Sequence, residues 1–256
     1  MKLGNYNGGK SGNGTYQNII NHIPPHSIYV APFAGHDGVF QKIRRAEISI
    51  LNDKDSRVVE RWKHASILKD CIVCENFQQG NLFEAPEKPV VILRNQDYTG
   101  IIAKFKDTPD AFIYCDPPYK MDTRRSSKAI YLFDWKEDKE HLAFLECCSI
   151  ATTSVMISAY ECEMYNEVLH GWNRHKFPSM TRQGLREETI YYNYPKPEIL
   201  HDFKYLGKNF RERERIKRKV LRFEKKINAL PSIERAAILS NIISKHRHTI
   251  TKLSEL

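Results

Sequence analysis

Four consecutive residues, Asp116-Pro117-Pro118-Tyr119, carry the strongest chemical signal in the sequence. They follow an apolar run, Ala111–Cys115, that is typical of a buried strand. Ligands of open α/β sheets bind beyond the carboxyl ends of strands, so Asp116 is expected to face a cleft. Because the prolines fix the loop, the Asp116 carboxylate and the Pro117 carbonyl could accept both N–H groups of a planar amine stacked on Tyr119. The exocyclic amine of a nucleobase is such a group, and a rigid turn with a helix-capping aspartate is the alternative.

A glycine-bearing turn, Ala31–Phe40, follows an earlier apolar run. Glycines let a ligand approach the backbone closely, and a helix N-terminus offers free N–H groups. Asp53 ends the next apolar run, 18 residues after Gly35, where an acid commonly accepts ribose hydroxyls. Each piece alone also fits a structural turn or a helix cap. Together, and in this order, they indicate a nucleoside-containing cofactor, although the G-x-G-x-x-G pattern is absent.

A third candidate site is the N-terminal run Tyr6-Asn7-Gly8-Gly9-Lys10. A cation on a glycine-rich loop can reach a carboxylate or a phosphate. The run lacks the spacing of a P-loop, so a flexible N-terminus is the alternative interpretation.

Alternating elements must position these residues. Short apolar runs alternate with helical patterns up to about residue 194, which predicts an α/β fold with a mixed, mostly parallel sheet flanked by helices. The predicted strands are Ser27–Ala31, Glu47–Leu51, Val90–Leu93, Ala111–Cys115, Ser154–Ser158 and Glu188–Tyr194, the last pairing as a hairpin with a run near Trp172–Phe177. The predicted helices are Gly38–Arg45, Asp55–His64, Lys136–Ile150 and Glu161–Leu169.

The composition changes after Pro197. A strongly basic run, Phe210–Lys226, is followed by Pro231 and an amphipathic stretch, Ser232–Lys245. We therefore predict a domain over residues 1–197 and a basic helical extension over residues 198–256. Contact with a DNA backbone, packing onto the core and self-association are competing roles for the extension.

The overall composition excludes several classes of protein. The 256 residues are 41% hydrophobic and 28% charged, which excludes a fibrous or mainly disordered chain. No apolar run approaches the ~18 residues of a membrane helix, and the polar N-terminus has no apolar signal core, so a cytoplasmic protein without a membrane partner is expected. Six cysteines are too few for a disulfide scaffold, and the single C-x-x-C, Cys71 and Cys74, lacks the second pair of a zinc site. The net charge of +9 suggests a polyanionic partner.

The ordered combination of motifs resembles the Dam-like, alpha-group adenine-specific DNA methyltransferases, which use S-adenosylmethionine. The resemblance covers roughly residues 6–197. The motifs that carry it are Tyr6-Asn7-Gly8-Gly9-Lys10, Pro32-Phe33-Ala34-Gly35, Asn52-Asp53, Asp116-Pro117-Pro118-Tyr119, Ser158-Ala159-Tyr160 and the late strand Arg186–Pro195.

The resemblance implies a Rossmann-like methyltransferase fold and an enzyme of bacterial or phage origin. The enzyme would transfer a methyl group to the exocyclic amine of an adenine flipped out of double-stranded DNA, without a metal. The implied catalytic residues are Asp116, Pro117, Pro118 and Tyr119, with Tyr119 stacking on the adenine. The implied cofactor-binding residues, among which Lys10 would hold the methionine end, are Tyr6, Gly8, Gly9, Lys10, Pro32, Phe33, Ala34, Gly35, Asp53, Asp97 and Asp116.

Basic residues near the expected active-site face are candidates for contacts with DNA phosphates or guanine. They are Arg124, Arg125, Lys128, Arg182 and Arg186.

The chain departs from the family pattern in two places. Asp37 stands where the second glycine of the cofactor loop is expected, and residues 54–110 leave little room for a separate target-recognition domain. Two alternative functions stay open at this point. Related tetrapeptides occur in RNA and protein-amide methyltransferases, which are the first alternative. Asp37 in the cofactor loop supports the second, a catalytically degenerate nucleic-acid-binding protein.

Overall fold

The computed structural model describes residues 10–75, 87–124, 131–181 and 184–254. Within them, eight strands form one sheet in the order β3-β4-β2-β1-β5-β6-β8-β7. Their bounds are β1 Ile28–Ala31, β2 Ile48–Asn52, β3 Ile72–Cys74, β4 Val90–Arg94, β5 Ala111–Cys115, β6 Ser154–Ala159, β7 Asn173–Thr181 and β8 Gly184–Tyr192. The edge strand β3 was not predicted; half of the surface of Ile72 is exposed there, so the strand lacks a buried apolar signature.

The sheet is mixed and mostly parallel, as predicted. The six strands from β3 across to β6 pair in parallel, whereas β8 pairs antiparallel with both β6 and β7. After β1 the chain builds one side of the sheet through β2, and it later returns to build the other side from β5. The strand order thus reverses between β1 and β5, which is where such sheets bind ligands beyond their carboxyl ends.

Helices cover both faces of the sheet, which explains why the central strands are apolar along their whole length. One face packs against α1 Thr15–Ile20 and α2 Ser56–Lys63. The other packs against α3 Tyr98–Phe105, α4 Asp138–Ser149 and α5 Glu163–Val168. The predictions of α2, α4 and α5 are confirmed, whereas α1 and α3 were not anticipated.

The predicted helix Gly38–Arg45 is wrong, because the chain forms successive turns there. The Asp37 carboxylate accepts hydrogen bonds from the backbone N–H groups of Val39 and Phe40, at 3.1 and 2.9 Å. The Arg45 guanidinium folds back onto the Phe40 carbonyl and lies over its ring, 4.0 Å from the centroid. Side chains therefore satisfy backbone groups that a longer helix would have paired internally.

The segment before the C-terminal helices is fastened to the sheet domain. The rings of His26 and His201 stack with their centroids 3.8 Å apart, and Asp202 accepts a hydrogen bond from the backbone N–H of Arg44 at 2.9 Å. Beyond it lie α6 Phe210–Asn228, α7 Ser232–Lys245 and α8 Arg247–Ser254. The first two were predicted; none of the residues of α6 and α7 is buried. No helix in the described part of the chain is long and apolar enough to cross a membrane.

Candidate active site

A cavity of about 370 Å³ opens at the carboxyl ends of the central strands. The loops that follow β1, β2, β4 and β5 form it together with residues 131–136 and Glu140. It brings together most of the described residues that the sequence singled out. Those that line it are Pro32, Phe33, Gly35, Asp37, Asp53, Asp97, Asp116 and Pro118.

Asn52, the last residue of β2, joins two of these loops. Its side chain is fully buried, and its amide donates to the carbonyls of Pro32 and Gln96, each at 3.0 Å, while its oxygen accepts from the Gln96 N–H at 3.1 Å. All hydrogen-bonding groups of a buried amide are expected to be satisfied. One side chain thus fixes the loops after β1 and β4 relative to β2.

Asp53 supports the glycine turn as well as facing the cavity. Its carboxylate accepts from the backbone N–H groups of Gly35 at 2.8 Å and Asp55 at 2.9 Å. Gly35 has φ 36°, in the left-handed region where glycine is favoured. Burial raises the pKa of Asp53 above its usual value, and these two hydrogen bonds oppose that rise. Each oxygen keeps acceptor capacity on the cavity side.

Asp37 is not a free carboxylate facing the cavity. Besides its two backbone contacts, it accepts a hydrogen bond from the buried Tyr29 hydroxyl at 2.9 Å. Burial raises its pKa to about 7. The residue that replaces the expected second glycine therefore acts as a structural bond acceptor within the turn.

The close backbone approach that requires a glycine occurs one position later, at Gly38. A Cβ at this residue would lie 2.6 Å from the N and Oγ atoms of Ser11 and 2.7 Å from the carbonyl carbon of Lys10. Real Cβ atoms do not come this close to backbone atoms. Gly38 is thus what allows the N-terminal segment to pack onto the turn and carry Lys10 to the end of β5.

Lys10 lies in a buried cluster of charges. Its Nζ is 3.1 Å from Oδ1 of Asp116 and 3.3 Å from Oε1 of Glu188, and it donates to the Tyr119 hydroxyl. That hydroxyl donates in turn to Glu188. The sequence assigned Lys10 to a carboxylate of the cofactor, whereas in the structure its partners are two carboxylates of the chain itself.

Burial sets the protonation of this cluster. It raises the pKa of Asp116 and of Glu188, and the ammonium of Lys10 opposes both rises. Burial alone would lower the pKa of Lys10, but the two carboxylates reverse the effect and hold it above its usual value. Lys10 thus stays charged and favours the ionised form of Asp116.

Tyr119 is enclosed by the cluster on several sides. Its ring packs edge-on against Tyr160, with centroids 4.7 Å apart, and the Lys10 ammonium lies 4.5 Å from its centroid. The Arg186 guanidinium covers the Tyr160 ring at 4.2 Å and donates to the Thr123 carbonyl at 2.6 Å. A continuous layer of rings and guanidinium therefore extends from the tetrapeptide to β8.

An aromatic wall closes the other side of the cavity. The rings of Phe33 and Tyr98 lie 5.2 Å apart, and Trp135 packs within 5.7 Å of both. Asp97 caps α3 by accepting from the Thr99 N–H at 3.1 Å, and its other oxygen pairs with Lys54 at 3.1 Å. Planar groups and acidic oxygens thus line one space.

The predicted DNA-contacting residues divide into three cases. Arg186 lies beside the site, as described above. Arg124 forms a two-pronged ion pair with Asp134 at 2.5 and 2.6 Å, its side chain only 6% exposed, so its guanidinium is bound within the chain and not presented to DNA. The others, with the predicted cofactor residues of the N-terminal loop, lie outside the described residues: Arg125, Lys128, Arg182, Tyr6, Gly8 and Gly9.

Several residues of the site were not identified from the sequence. Glu188 belongs to the late-strand motif but its own role was not predicted, although an acid inside the apolar run of β8 indicates a buried cation nearby. Trp135 and Asp134 had no such signal, because their positions depend on how the chain returns after the tetrapeptide.

Comparisons with known proteins find similar solved structures and one family model. Solved structures that are similar include a SAM-dependent methyltransferase from Agrobacterium tumefaciens, with 14% identity and a TM-score of 0.40 over 69% of this chain and 58% of that one. A second is TrmK of M. capricolum in complex with S-adenosyl-homocysteine, with 9% identity and a TM-score of 0.41 over 93% and 96% of the two chains. Scores this low add nothing to what the strand order already shows. No curated protein matches the sequence.

One family model matches, over residues 81–183, a range that holds the tetrapeptide and most of the aromatic wall. Its description is D12 class N6 adenine-specific DNA methyltransferase. The match confirms the resemblance drawn from the motifs: residues 81–183 are similar to the D12 class N6 adenine-specific DNA methyltransferases.

Proposed function

We propose that this protein transfers a methyl group from S-adenosylmethionine to the exocyclic amine of an adenine flipped out of double-stranded DNA. The observation that carries the proposal is the position of Asp116. Its carboxylate lies at the end of β5, lines the cavity and pairs with the buried ammonium of Lys10, whose charge favours the ionised form.

The cavity fits the proposed cofactor. S-adenosylmethionine has a flat base, a ribose diol and a positively charged sulfur. Asp53 is the candidate acceptor for the diol, and the rings of Phe33 and Tyr98 are candidates for contact with the base. Asp55, Asp97 and Asp116 add acidic character that favours a cation. When bound, the cofactor would supply an activated methyl group.

The chain's own contribution would be to orient the acceptor amine. The amine nitrogen of adenine is a poor nucleophile because its lone pair is conjugated with the ring. The Asp116 carboxylate and the Pro117 carbonyl, accepting its two N–H groups, would favour a pyramidal nitrogen and fix its direction. Lys10 would act through Asp116, by keeping that carboxylate charged.

The hairpin of β7 and β8 supports access to a base outside the duplex. Pairing of β6 with β8 ends at Thr189, but the β7–β8 ladder continues to Gly184, so the hairpin extends roughly 15 Å past β6. Met180 and Leu185 pair near its tip and are 64% and 60% exposed. Exposed apolar side chains of this kind can enter a base step and stabilise an extruded nucleotide.

The proposal also includes the domain division and the location of the protein. We assign catalysis to residues 1–197 and a separate role to residues 198–256, because α6 and α7 bury no residue against the sheet domain. The similarity of residues 81–183 to a family of DNA methyltransferases supports a cytoplasmic location.

Methylation of DNA by the purified protein tests the proposal directly. A duplex of random sequence is incubated with S-adenosylmethionine, digested to nucleosides and analysed by mass spectrometry for N6-methyladenine. Asp116→Ala should lower the yield at least ~100-fold, since it removes an orienting electrostatic group. Asp70→Ala, at an aspartate whose side chain is 86% exposed, is the matched control and should methylate normally.

Two results would contradict the proposal. Methylation of RNA but not of the duplex would favour the first alternative, an RNA methyltransferase. Binding of DNA without any methyl transfer would favour a degenerate binding protein, whose only sequence support was Asp37. The hydrogen bonds that Asp37 makes within the turn speak against that second alternative.

A further inference from the structure

Helix α6 carries most of the excess charge of the protein. Nine Lys and Arg against three Glu give this 19-residue helix a net charge of +6, two thirds of the chain's +9. No residue of the helix is buried, so these charges are in water. They make one ion pair within the described residues, between Arg215 and Glu212 at 3.5 Å. Extensive internal pairing along the helix, the ordinary explanation for such a run, is therefore not what the structure shows.

The cations of α6 are sorted to one side. At 100° per residue, seven of them lie within a 120° arc that contains no acid. Only Arg213 and Lys217 lie elsewhere, and Glu212 and Glu214 flank the arc. The seven residues, which we call the basic face, are Arg211, Arg215, Arg218, Lys219, Arg222, Lys225 and Lys226.

The basic face has the dimensions of a stretch of duplex. From Arg211 to Lys226 it is about 22 Å long, and over that length B-DNA presents roughly 13 phosphate charges. An aligned row of cations gains from such a polyanion by releasing its counterions, whereas it would repel a second copy of itself.

The start of α6 is held close to the N-terminal part of the site. Asn21, which caps α1, donates to the carbonyls of Tyr205 and Gly207 at 3.0 and 3.3 Å. Gly207 has φ +134°, and a Cβ there would lie 2.8 Å from the N of Arg213. The helix is thus fixed at its base to α1, the helix that begins five residues after Lys10.

We propose that the basic face of α6 binds the phosphate backbone of duplex DNA beside the target site and supplies sequence-independent affinity. The proposal rests on the function proposed above for its substrate. It also gives a role to the residues beyond 183, where the family match ends. A chain with little room for a separate target-recognition domain would gain from a second attachment to DNA.

The salt dependence of binding tests the proposal. Fluorescence anisotropy with a labelled 20-base-pair duplex would be recorded between 50 and 400 mM NaCl for the full-length protein and two double variants. Arg218→Gln/Arg222→Gln removes two charges of the basic face. Arg213→Gln/Lys217→Gln removes the same charge from the same helix, but off that face.

Each lost phosphate contact reduces the slope of log K against log salt by about 0.9. The slope is negative, and in the basic-face variant its magnitude should be about 2 lower than in the wild type. The factor by which affinity falls between 50 and 200 mM should therefore be about tenfold smaller in this variant. The control should keep the wild-type slope. The methylation rate at saturating DNA should be unchanged in both, while the KM for DNA rises only in the basic-face variant.

Equal slopes for the two variants would overturn the proposal. So would tighter binding of an RNA duplex of the same length, or loss of a dimer, seen by sedimentation, in the basic-face variant alone. Failure of the proposed function is distinguishable from failure of this proposal. In that case the basic-face variant would still differ in slope from the wild type, but the wild type would make no N6-methyladenine.

Discussion

Two lysine–aspartate ion pairs of the same length lie at the same edge of the sheet. Lys10 and Asp116 are 3.1 Å apart with side chains 8% and 20% exposed, whereas Lys54 and Asp97 are 3.1 Å apart but 55% and 43% exposed. In water, solvent screening and side-chain entropy leave such a pair with little net stabilisation. In the interior each charge is stabilised mainly by its partner, because removal of one leaves the other buried and unpaired. Distance alone therefore does not rank the two contacts; burial does.

The largest effect should come from Lys10→Met. It leaves Asp116 and Glu188 buried without a cation, which should lower the free energy of unfolding by about 3–5 kcal/mol at neutral pH. Lys54→Met should cost less than about 1 kcal/mol. Urea unfolding of both variants measures the difference, and equal losses would break the comparison.

The Lys10→Met defect should also depend on pH in a defined direction. Without the ammonium, burial raises the pKa of both carboxyls further, so the folded state holds more protons than the unfolded chain. The stability gap to the wild type should therefore widen as pH rises and narrow in acid. Any residual methylation should be lost at a higher pH than in the wild type on acidification, because Asp116 must be ionised to accept the amine. A gap that stays constant between pH 5 and 8 would argue against a buried pair.

An intermediate effect is expected from Gly38→Ala. The new Cβ would press on Ser11 and on the carbonyl carbon of Lys10, which should cost about 1–3 kcal/mol and move Lys10 away from Asp116. Gly171→Ala, where a Cβ would have no atom within 4 Å, is the control and should be nearly neutral. The measurements are thermal unfolding and the kcat for methylation. A fully active Gly38→Ala would show that Lys10 does not depend on this close approach.

The smallest effect on stability should come from the basic face of α6. Arg218→Gln/Arg222→Gln should change the free energy of unfolding by less than about 0.5 kcal/mol, since both side chains are exposed and have no ion-pair partner in the described structure. Chemical denaturation checks this. A loss of unfolding free energy above 1 kcal/mol would show that these arginines make stabilising contacts within the folded protein. Exposed charges would thus alter binding and not folding, the reverse of Lys10.

The sequence predicted the elements with a uniform apolar signature. The runs Ala111–Cys115 and Val90–Leu93 are buried on both faces, so their composition alone identifies them. The prediction was wrong at Gly38–Arg45. The apolar spacing there suits a helix, but the Asp37 side chain accepts hydrogen bonds from the backbone N–H groups of Val39 and Phe40. Propensity does not show which side chain will compete for the backbone.

The candidate site was predicted in part, for similar reasons. Asp53 and Asp116 follow strands directly and Asp97 comes three residues after β4, and parallel strands carry their carboxyl ends to one edge. Lys10 meets Glu188 only because β8 lies next to β6 in the sheet. The two residues are 178 positions apart in the chain. Local sequence carries no measure of such a distance. The ion pair of Arg124 with Asp134 escaped prediction because a basic residue beside an active site suits both a ligand contact and an internal one.

The stacked imidazoles that attach the C-terminal segment make this attachment sensitive to acid. Burial lowers the pKa of His26, and it lowers that of His201 to about 4. As pH falls below about 6.5, these histidines bind protons in the unfolded segment but not in the folded one. The stability of the attachment therefore falls as pH drops from 6.5 towards 4. His26 in turn packs on the sheet, with its ring centroid 5.9 Å from that of Tyr29 and 5.2 Å from that of Phe112. Mild acidification should therefore weaken the attachment of the C-terminal segment to the rest of the protein.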